Sequence, residues 1–229
     1  MNKQAPEKVV RAGTTNLVVH SVFYTIQGEG PFAGQPAVFV RLAGCNLQCP
    51  LCDTEYTSTR TPMDPRSLLA YVSQVNRAAS LIVVTGGEPF RQPAALSAFV
   101  RIADDSGYTV QVETNGTLPV PDDFPADAVI VVSPKTGTVH RSVASRSVHW
   151  KYVAKHGGIS RFDGLPLHAL EHPVSPMLAR PPHGVTVYLQ PVDEGNSLAN
   201  NANQKAVVEA CLAFGHTLCL QMHKIVGVE

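Results

Sequence analysis

The sequence is short of charge. Only 16% of its 229 residues are Asp, Glu, Lys or Arg, against about a quarter in an average globular chain, and 18 basic residues balance 18 acidic ones. Without a basic excess there is no electrostatic footprint for a nucleic-acid backbone, so no nucleic-acid partner is expected. Long apolar runs are missing too: none reaches the roughly 18 to 20 residues that cross a bilayer, and no membrane partner is expected. The N-terminal residues (MNKQAPEKVVRAG) are polar and lack the apolar centre of a signal peptide. A disulfide framework is absent, because the five cysteines are odd in number and three crowd into one loop. Neither internal repeats nor low-complexity tracts occur. These absences predict a cytoplasmic chain in a reducing compartment. What the chain does have is apolar material, 44% of it, enough to bury one core of α/β-barrel size without a second domain.

The informative stretch is 45–53, C-N-L-Q-C-P-L-C-D, followed by Thr54. Cys45, Cys49 and Cys52 are spaced C-x3-C-x2-C at the end of the strand-like run 37–43 (AVFVRLA). Three thiolates on one short loop can face a single centre. Structural zinc takes four protein ligands, and no second paired-cysteine knuckle follows. A 4Fe–4S cluster held by three cysteines keeps one iron without a protein ligand, a position where a small molecule can bind and be reduced. A zinc knuckle or a redox-active cysteine loop is the competing reading of this loop taken alone.

Residues 1–16 read as a loose N-terminal arm and 17–229 as one core domain. Strands are expected at 17–23, 37–43, 81–85, 108–113, 128–132, 149–154, 185–189 and 216–222. Helices are expected at 64–79, opened by the Asp64 cap and Pro65, from Pro93 to Gly107, and at 197–214. Residues 60–62 read as a linker, and 156–184, rich in Pro, Gly and His, carries no assignable element. Alternating strands and helices argue a parallel sheet, and polar motifs fall just after strand C-terminal ends, where such sheets bind ligands. The fold class is therefore α/β, an incomplete or modified barrel. Cys211 and Cys219 read as buried small hydrophobes.

The cysteine spacing, with Gly86-Gly87-Glu88-Pro89 after the next strand, resembles the radical S-adenosylmethionine superfamily. Further runs narrow the resemblance: YTIQGEG from Tyr24, VRLAGCNLQC from Val40, CDT from Cys52, TGGEP from Thr85, VETNGT from Val112, SPK from Ser133, QPVD from Gln190 and LQMHK from Leu220. Together these are similar to the 7-carboxy-7-deazaguanine synthase family, over nearly the whole chain. That resemblance implies a single-domain partial (β/α)6-type barrel and a radical lyase turning 6-carboxy-5,6,7,8-tetrahydropterin into 7-carboxy-7-deazaguanine. It implies a 4Fe–4S cluster on Cys45, Cys49 and Cys52, S-adenosylmethionine, Mg²⁺ on Thr54, a flavodoxin or ferredoxin reductant and a homodimer. S-adenosylmethionine would lie against Leu51, Cys52, Asp53, Gly87, Ser133, Pro134, Lys135, Gln190, Pro191, Val192 and Asp193. Substrate would meet Ile26, Gln27, Gly28, Arg41, Thr85 and the terminal Glu229, with Glu113 a candidate for proton movement and Asn115 and His223 near the pocket. A glycyl-radical activating enzyme shares the cluster and size, but Thr54 and the Gln27-Gly28-Glu29 loop favour a small-molecule pocket.

Overall fold

The computed structural model describes residues 4–11, 13–50, 52, 54–169 and 177–228. Its frame is one nine-stranded sheet, formed by β1 (Leu17–Ile26), β2 (Pro36–Leu42), β3 (Thr61–Met63), β4 (Leu81–Gly86), β5 (Thr109–Thr114), β6 (Val129–Val132), β7 (His149–Ala154), β8 (Thr186–Pro191) and β9 (Thr217–Leu218). The strand order is β3-β1-β2-β4-β5-β6-β7-β8-β9. From β2 to β9 every neighbouring pair is parallel, while β1 runs antiparallel to both β2 and β3. Because β3 and β9 remain edges, the sheet does not close, and the architecture is the partial α/β barrel expected from the alternation. No helix among the described residues is long and apolar enough to cross a membrane.

Side chains alternate between the faces of a strand, and here each face has its own composition. Val38, Val40 and Leu42 of β2, Ile82 and Val84 of β4, and Val110 and Val112 of β5 point to one side and join the main core. The helices α1 (Pro65–Val75) and α2 (Pro93–Asp105) cover that side through Leu68, Val72, Leu96, Phe99 and Val100. On the other face, Ala37, Leu81 and Val83 form a small second cluster with Phe32 and Phe39. Further along the same strands, toward their C-terminal ends, that face turns polar at Arg41, Thr85 and Glu113. The apolar half closes the floor and the polar half is left for chemistry.

The helix boundaries follow their punctuation. Asp64 Oδ1 accepts from the Arg66 and Ser67 amides at 3.1 Å each, with Pro65 at the first helical position. Helix α1 stops at Val75 rather than 79, because the Asn76 side chain brackets Ala79, accepting from its amide and donating to its carbonyl, both at 2.8 Å. Gly107 and Gly215 end α2 and α4 (Ser197–Phe214) in the left-handed conformation at φ 84° and 75°. A four-residue helix α3 (Arg141–Ala144) lies between β6 and β7.

Three expectations are corrected. Residues 60–62 are no linker: β3 pairs with the far edge of β1, Val18 opposite Pro62, an edge position that tolerates proline. The last strand is two residues long instead of 216–222, and Met222–Val226 coils into α5. The cause is tertiary, since the Met222 amide donates to Gly28 O at 3.2 Å and the chain turns there to reach the β1–β2 loop. Strand β1 extends three residues past 23, up to that loop. Between β7 and β8 the described residues hold only an isolated bridge, Ile159 with Pro166.

Gly86 sits at φ +129°, and a Cβ there would meet Leu42 O at 2.1 Å, whereas Gly157 (φ +79°) has open space around it. Gly157→Ala is expected to cost about 1–2 kcal/mol, the left-handed penalty alone. Gly86→Ala should cost more than that or abolish folding, read by urea denaturation of the two metal-free variants side by side.

Candidate active site

The cysteine loop leaves β2 through Ala43 and Gly44. Gly86 and Gly87 at the end of β4 let its root pack backbone against backbone: a Cβ on Gly87 would stand 2.1 Å from Gly44 O. The Gly87 amide donates to Leu42 O at 3.1 Å and the Glu88 amide to Gly44 O at 3.0 Å. The close approach these glycines permit is thus first to the loop that carries Cys45. Glu88 is fully buried; its carboxylate accepts from the Phe90 amide (3.0 Å), Thr114 Oγ1 (2.8 Å) and the Asn115 amide (2.8 Å), tying the end of β4 to the end of β5. Burial pushes its carboxyl up to about 7.

Cys45 is buried, Cys49 and Cys52 are half-buried, and none of the three is in a disulfide. Burial pushes the Cys45 thiol up to about 11; it also raises Cys49, against the pull of the nearby Lys135 ammonium. Cys45 Sγ accepts from the Leu47 amide at 3.4 Å and lies 4.0 Å from Asn115 Nδ2. Asn115 is held by its neighbours: Nδ2 donates to Asn46 Oδ1 at 2.9 Å, Asn46 Nδ2 donates to Thr117 Oγ1 at 2.8 Å, and the Thr117 amide donates back to Asn115 Oδ1 at 2.9 Å. Among the described residues no three Cys, His, Asp or Glu side chains converge on one ion. Three sulfurs that each hold a different iron need not converge. Three thiols outside any disulfide, polar hydrogens around Cys45 and a cation beside Cys49 fit an anionic iron–sulfur group, whose irons would draw off the thiol protons that burial retains.

On the polar face of the sheet, Glu113 is the hub. Its carboxylate accepts from Gln27 Nε2 at 3.1 Å, Gln111 Nε2 at 2.9 Å and Thr85 Oγ1 at 3.2 Å. Gln27, Thr85 and Glu113 were singled out separately in sequence, on three different strands or loops, and the fold brings them into contact. Arg41, level with Thr85 across the β2–β4 pair, stacks over the Phe23 ring at 5.1 Å, and its buried Nε has no hydrogen-bond partner. Ile26 ends β1, and Gly28 lies so close under α5 that a Cβ would meet His223 Nδ1 at 2.0 Å.

The wall beyond carries residues that periodicity alone did not single out. Lys151, buried in the middle of β7, pairs with Glu29 of the YTIQGEG loop, and Gln221 Nε2 donates to the same carboxylate at 3.0 Å. Burial opposes the charge on Glu29, yet the ammonium overrides it and holds the carboxyl at about 2; Lys151 is shifted up in turn. The available signal was a lone lysine in an otherwise apolar or aromatic strand, HWKYVA.

The remaining candidates lie at or just after strand ends. Ser133 follows β6, its amide bonded to Thr114 O at 2.8 Å, and Lys135 Nζ donates to Ser133 Oγ at 2.6 Å across a buried Pro134. Gln190 and Pro191 end β8; Gln190 Oε1 accepts from the Cys219 thiol at 3.6 Å, and Val192 is buried, its carbonyl accepting from Asn203 at 3.2 Å. The exposed Asp193 carboxylate accepts from Asn200 at 2.8 Å and Lys224 at 3.1 Å. Thr54 O accepts from the Cys52 thiol at 3.6 Å. Leu51, Asp53 and Glu229 lie outside the described residues.

Lys151→Met leaves the Glu29 charge buried without its cation, so it should cost about 3–5 kcal/mol in urea denaturation of the metal-free chain, with Glu29→Gln/Lys151→Met recovering part of the loss. Because the folded Glu29 carboxyl lies below its usual value near 4.5, its contribution is full above that pH and fades as pH falls toward 2. The double variant should lack this acid-dependent component.

Comparison with known proteins places these features in a family. The radical SAM superfamily pattern matches residues 40–128. The crystal structure of QueE from Escherichia coli superposes with a TM-score of 0.69 at 22% identity, covering 92% of this chain and 96% of that one, and thereby supports the fold. The 7-carboxy-7-deazaguanine synthase of Rickettsia prowazekii is 34% identical over 231 residues, 98% of this chain and 94% of the relative. That of Rhodospirillum rubrum is 42% identical over 220 residues, 93% of each chain. Identity of that order along nearly the full length of both sequences means that the chain belongs to the 7-carboxy-7-deazaguanine synthase family.

Proposed function

We propose that the chain is a radical lyase converting 6-carboxy-5,6,7,8-tetrahydropterin to 7-carboxy-7-deazaguanine with loss of ammonia, on the route to queuosine and other 7-deazapurines. The observation that carries this reading is the Gln27–Thr85–Glu113 contact on the polar face of the sheet, which supports a polar small-molecule site there. When bound, the reduced 4Fe–4S cluster and S-adenosylmethionine supply one-electron cleavage of a carbon–sulfur bond, and with it a radical able to abstract hydrogen.

The chain's own residues then bind, orient and exclude water. Cys45, Cys49 and Cys52 would hold the cluster, and the backbone of Leu51, Cys52 and Asp53, Gly87, the Ser133–Lys135 turn and the Gln190–Asp193 loop would bind S-adenosylmethionine. Arg41 offers a substrate carboxylate the paired donors of a guanidinium. Ile26, Gln27, Gly28, Thr85 and Glu229 would meet the substrate, and the Thr54 hydroxyl would contribute one ligand to an Mg²⁺ that polarises the substrate's carboxylate end. Glu113, already accepting three hydrogen bonds, fixes Gln27 and Thr85 and is the carboxylate placed to accept or return a proton late in the rearrangement. A cytoplasmic homodimer reduced by flavodoxin or ferredoxin completes the reading.

Anaerobically reconstituted protein given the tetrahydropterin, S-adenosylmethionine and a reductant should form a deazapurine with its own ultraviolet spectrum. No product from protein with an intact cluster would overturn the assignment. Glu113→Gln should lower kcat by about 10²–10⁴-fold, the usual range for a positioned acid–base group, while the visible cluster absorbance stays at wild-type intensity.

A further inference from the structure

The N-terminal residues, which read as a loose arm, are fastened to the root of the cysteine loop. The Glu7 amide donates to Cys45 O at 2.7 Å, so the backbone of the first cysteine is held directly. One carboxylate oxygen of Glu7 pairs with Arg91 Nη2 at 2.8 Å, and the other pairs with Arg60. Arg91 is nearly buried, 5% exposed, and its remaining donors go to the same places. Nε reaches Glu7 O at 3.3 Å and Lys8 O at 3.2 Å, while Nη1 donates to Ala43 O at 3.1 Å, two residues before Cys45. The Val10 amide returns to Arg91 O at 2.7 Å, and Gln4 Nε2 donates to Thr57 Oγ1 at 3.0 Å beyond the third cysteine. A Cβ on Gly44 would meet Arg91 Nη1 at 2.3 Å and Glu7 Oε2 at 2.8 Å, so a side chain there would have to push this ion pair aside.

The arm therefore contacts both flanks of the loop. With it displaced, Arg91 would lose its directly paired carboxylate and two carbonyl acceptors, and Cys45 O would lose its donor. A nearly buried guanidinium stripped of partners is costly, and it would draw on Ala43 O, the backbone from which the loop departs. We propose that residues 4–10 are a strap that holds Cys45 in its metal-binding position before and after the cluster is built, with Glu7 and Arg91 as positioning residues for the cluster. This rests on the cluster assignment but not on the identity of the pterin substrate. Groups that orient metal ligands without touching the metal typically change affinity about 10–100-fold when removed.

The test uses full-length, anaerobically loaded wild type, Glu7→Gln, Glu7→Ala, Arg91→Met and, as a control for loss of a surface ion pair, Arg101→Gln on α2, whose partner is Asp123. Decay of the visible iron–sulfur absorbance in excess chelator and the melting temperature of the metal-free chains are both recorded. Expected is cluster loss about tenfold faster in the Glu7 variants, with Arg101→Gln at the wild-type rate. Glu7 variants that release iron as slowly as wild type, even with a lowered melting temperature, overturn the strap. Should Arg91→Met fail to fold, the Glu7 variants decide alone. Wild type that never acquires the absorbance overturns the cluster assignment and the strap together, whereas a stable cluster without pterin turnover removes only the proposed substrate.

Discussion

Everything near the cysteine loop depends on two backbones touching. Where β4 ends, Gly86 and Gly87 present no side chain, and the stretch from Leu42 to Gly44 occupies the volume that a Cβ would fill. Two amides then donate into that stretch. A loop is entropically expensive to order; here its root is held by the strand next to it. The Gly-Gly-Glu sequence supplies both the absence of bulk and, one residue later, a buried carboxylate that locks β5 onto β4.

The sheet separates stability from chemistry by alternation. Val38, Val40, Ile82, Val84, Val110 and Val112 spend one face on the helices, and the residues between them are free to be polar. Arg41, Thr85 and Glu113 occupy the exit ends of β2, β4 and β5, where parallel strands deliver functional side chains. Buried polar groups must find partners, and the buried Gln27 and Gln111 find theirs in the partly buried Glu113 carboxylate, which also accepts from Thr85. The network that satisfies the carboxylate therefore also fixes the side chains of Gln27, Gln111 and Thr85.

The wall opposite is built on charge rather than apolar contact. Lys151 is placed by β7 and neutralised by Glu29 from the β1–β2 loop, with Gln221 bringing the C-terminal segment to the same carboxylate. One ion pair thus gathers segments more than a hundred residues apart, and α5 comes to lie over Gly28 as a consequence.

The alternation of strands and helices, the helix caps at Asp64, Gly107 and Gly215, and the cysteine spacing are legible in the residues, because each depends on local chemistry within a few positions. Seven of the strands and three helices are where that chemistry predicts them. The sequence also pointed to Gln27, Thr85 and Glu113 individually, through resemblance to a family, without showing that they touch. Long-range packing set the rest: 61–63 pairs with β1, the final strand is cut short by a turn toward Gly28, Lys151 meets Glu29, and the N-terminal residues close over Cys45 through Arg91. Each of those outcomes joins partners distant in the chain, and a long-range contact is chosen by what the rest of the fold leaves exposed or unpaired, which no local pattern encodes.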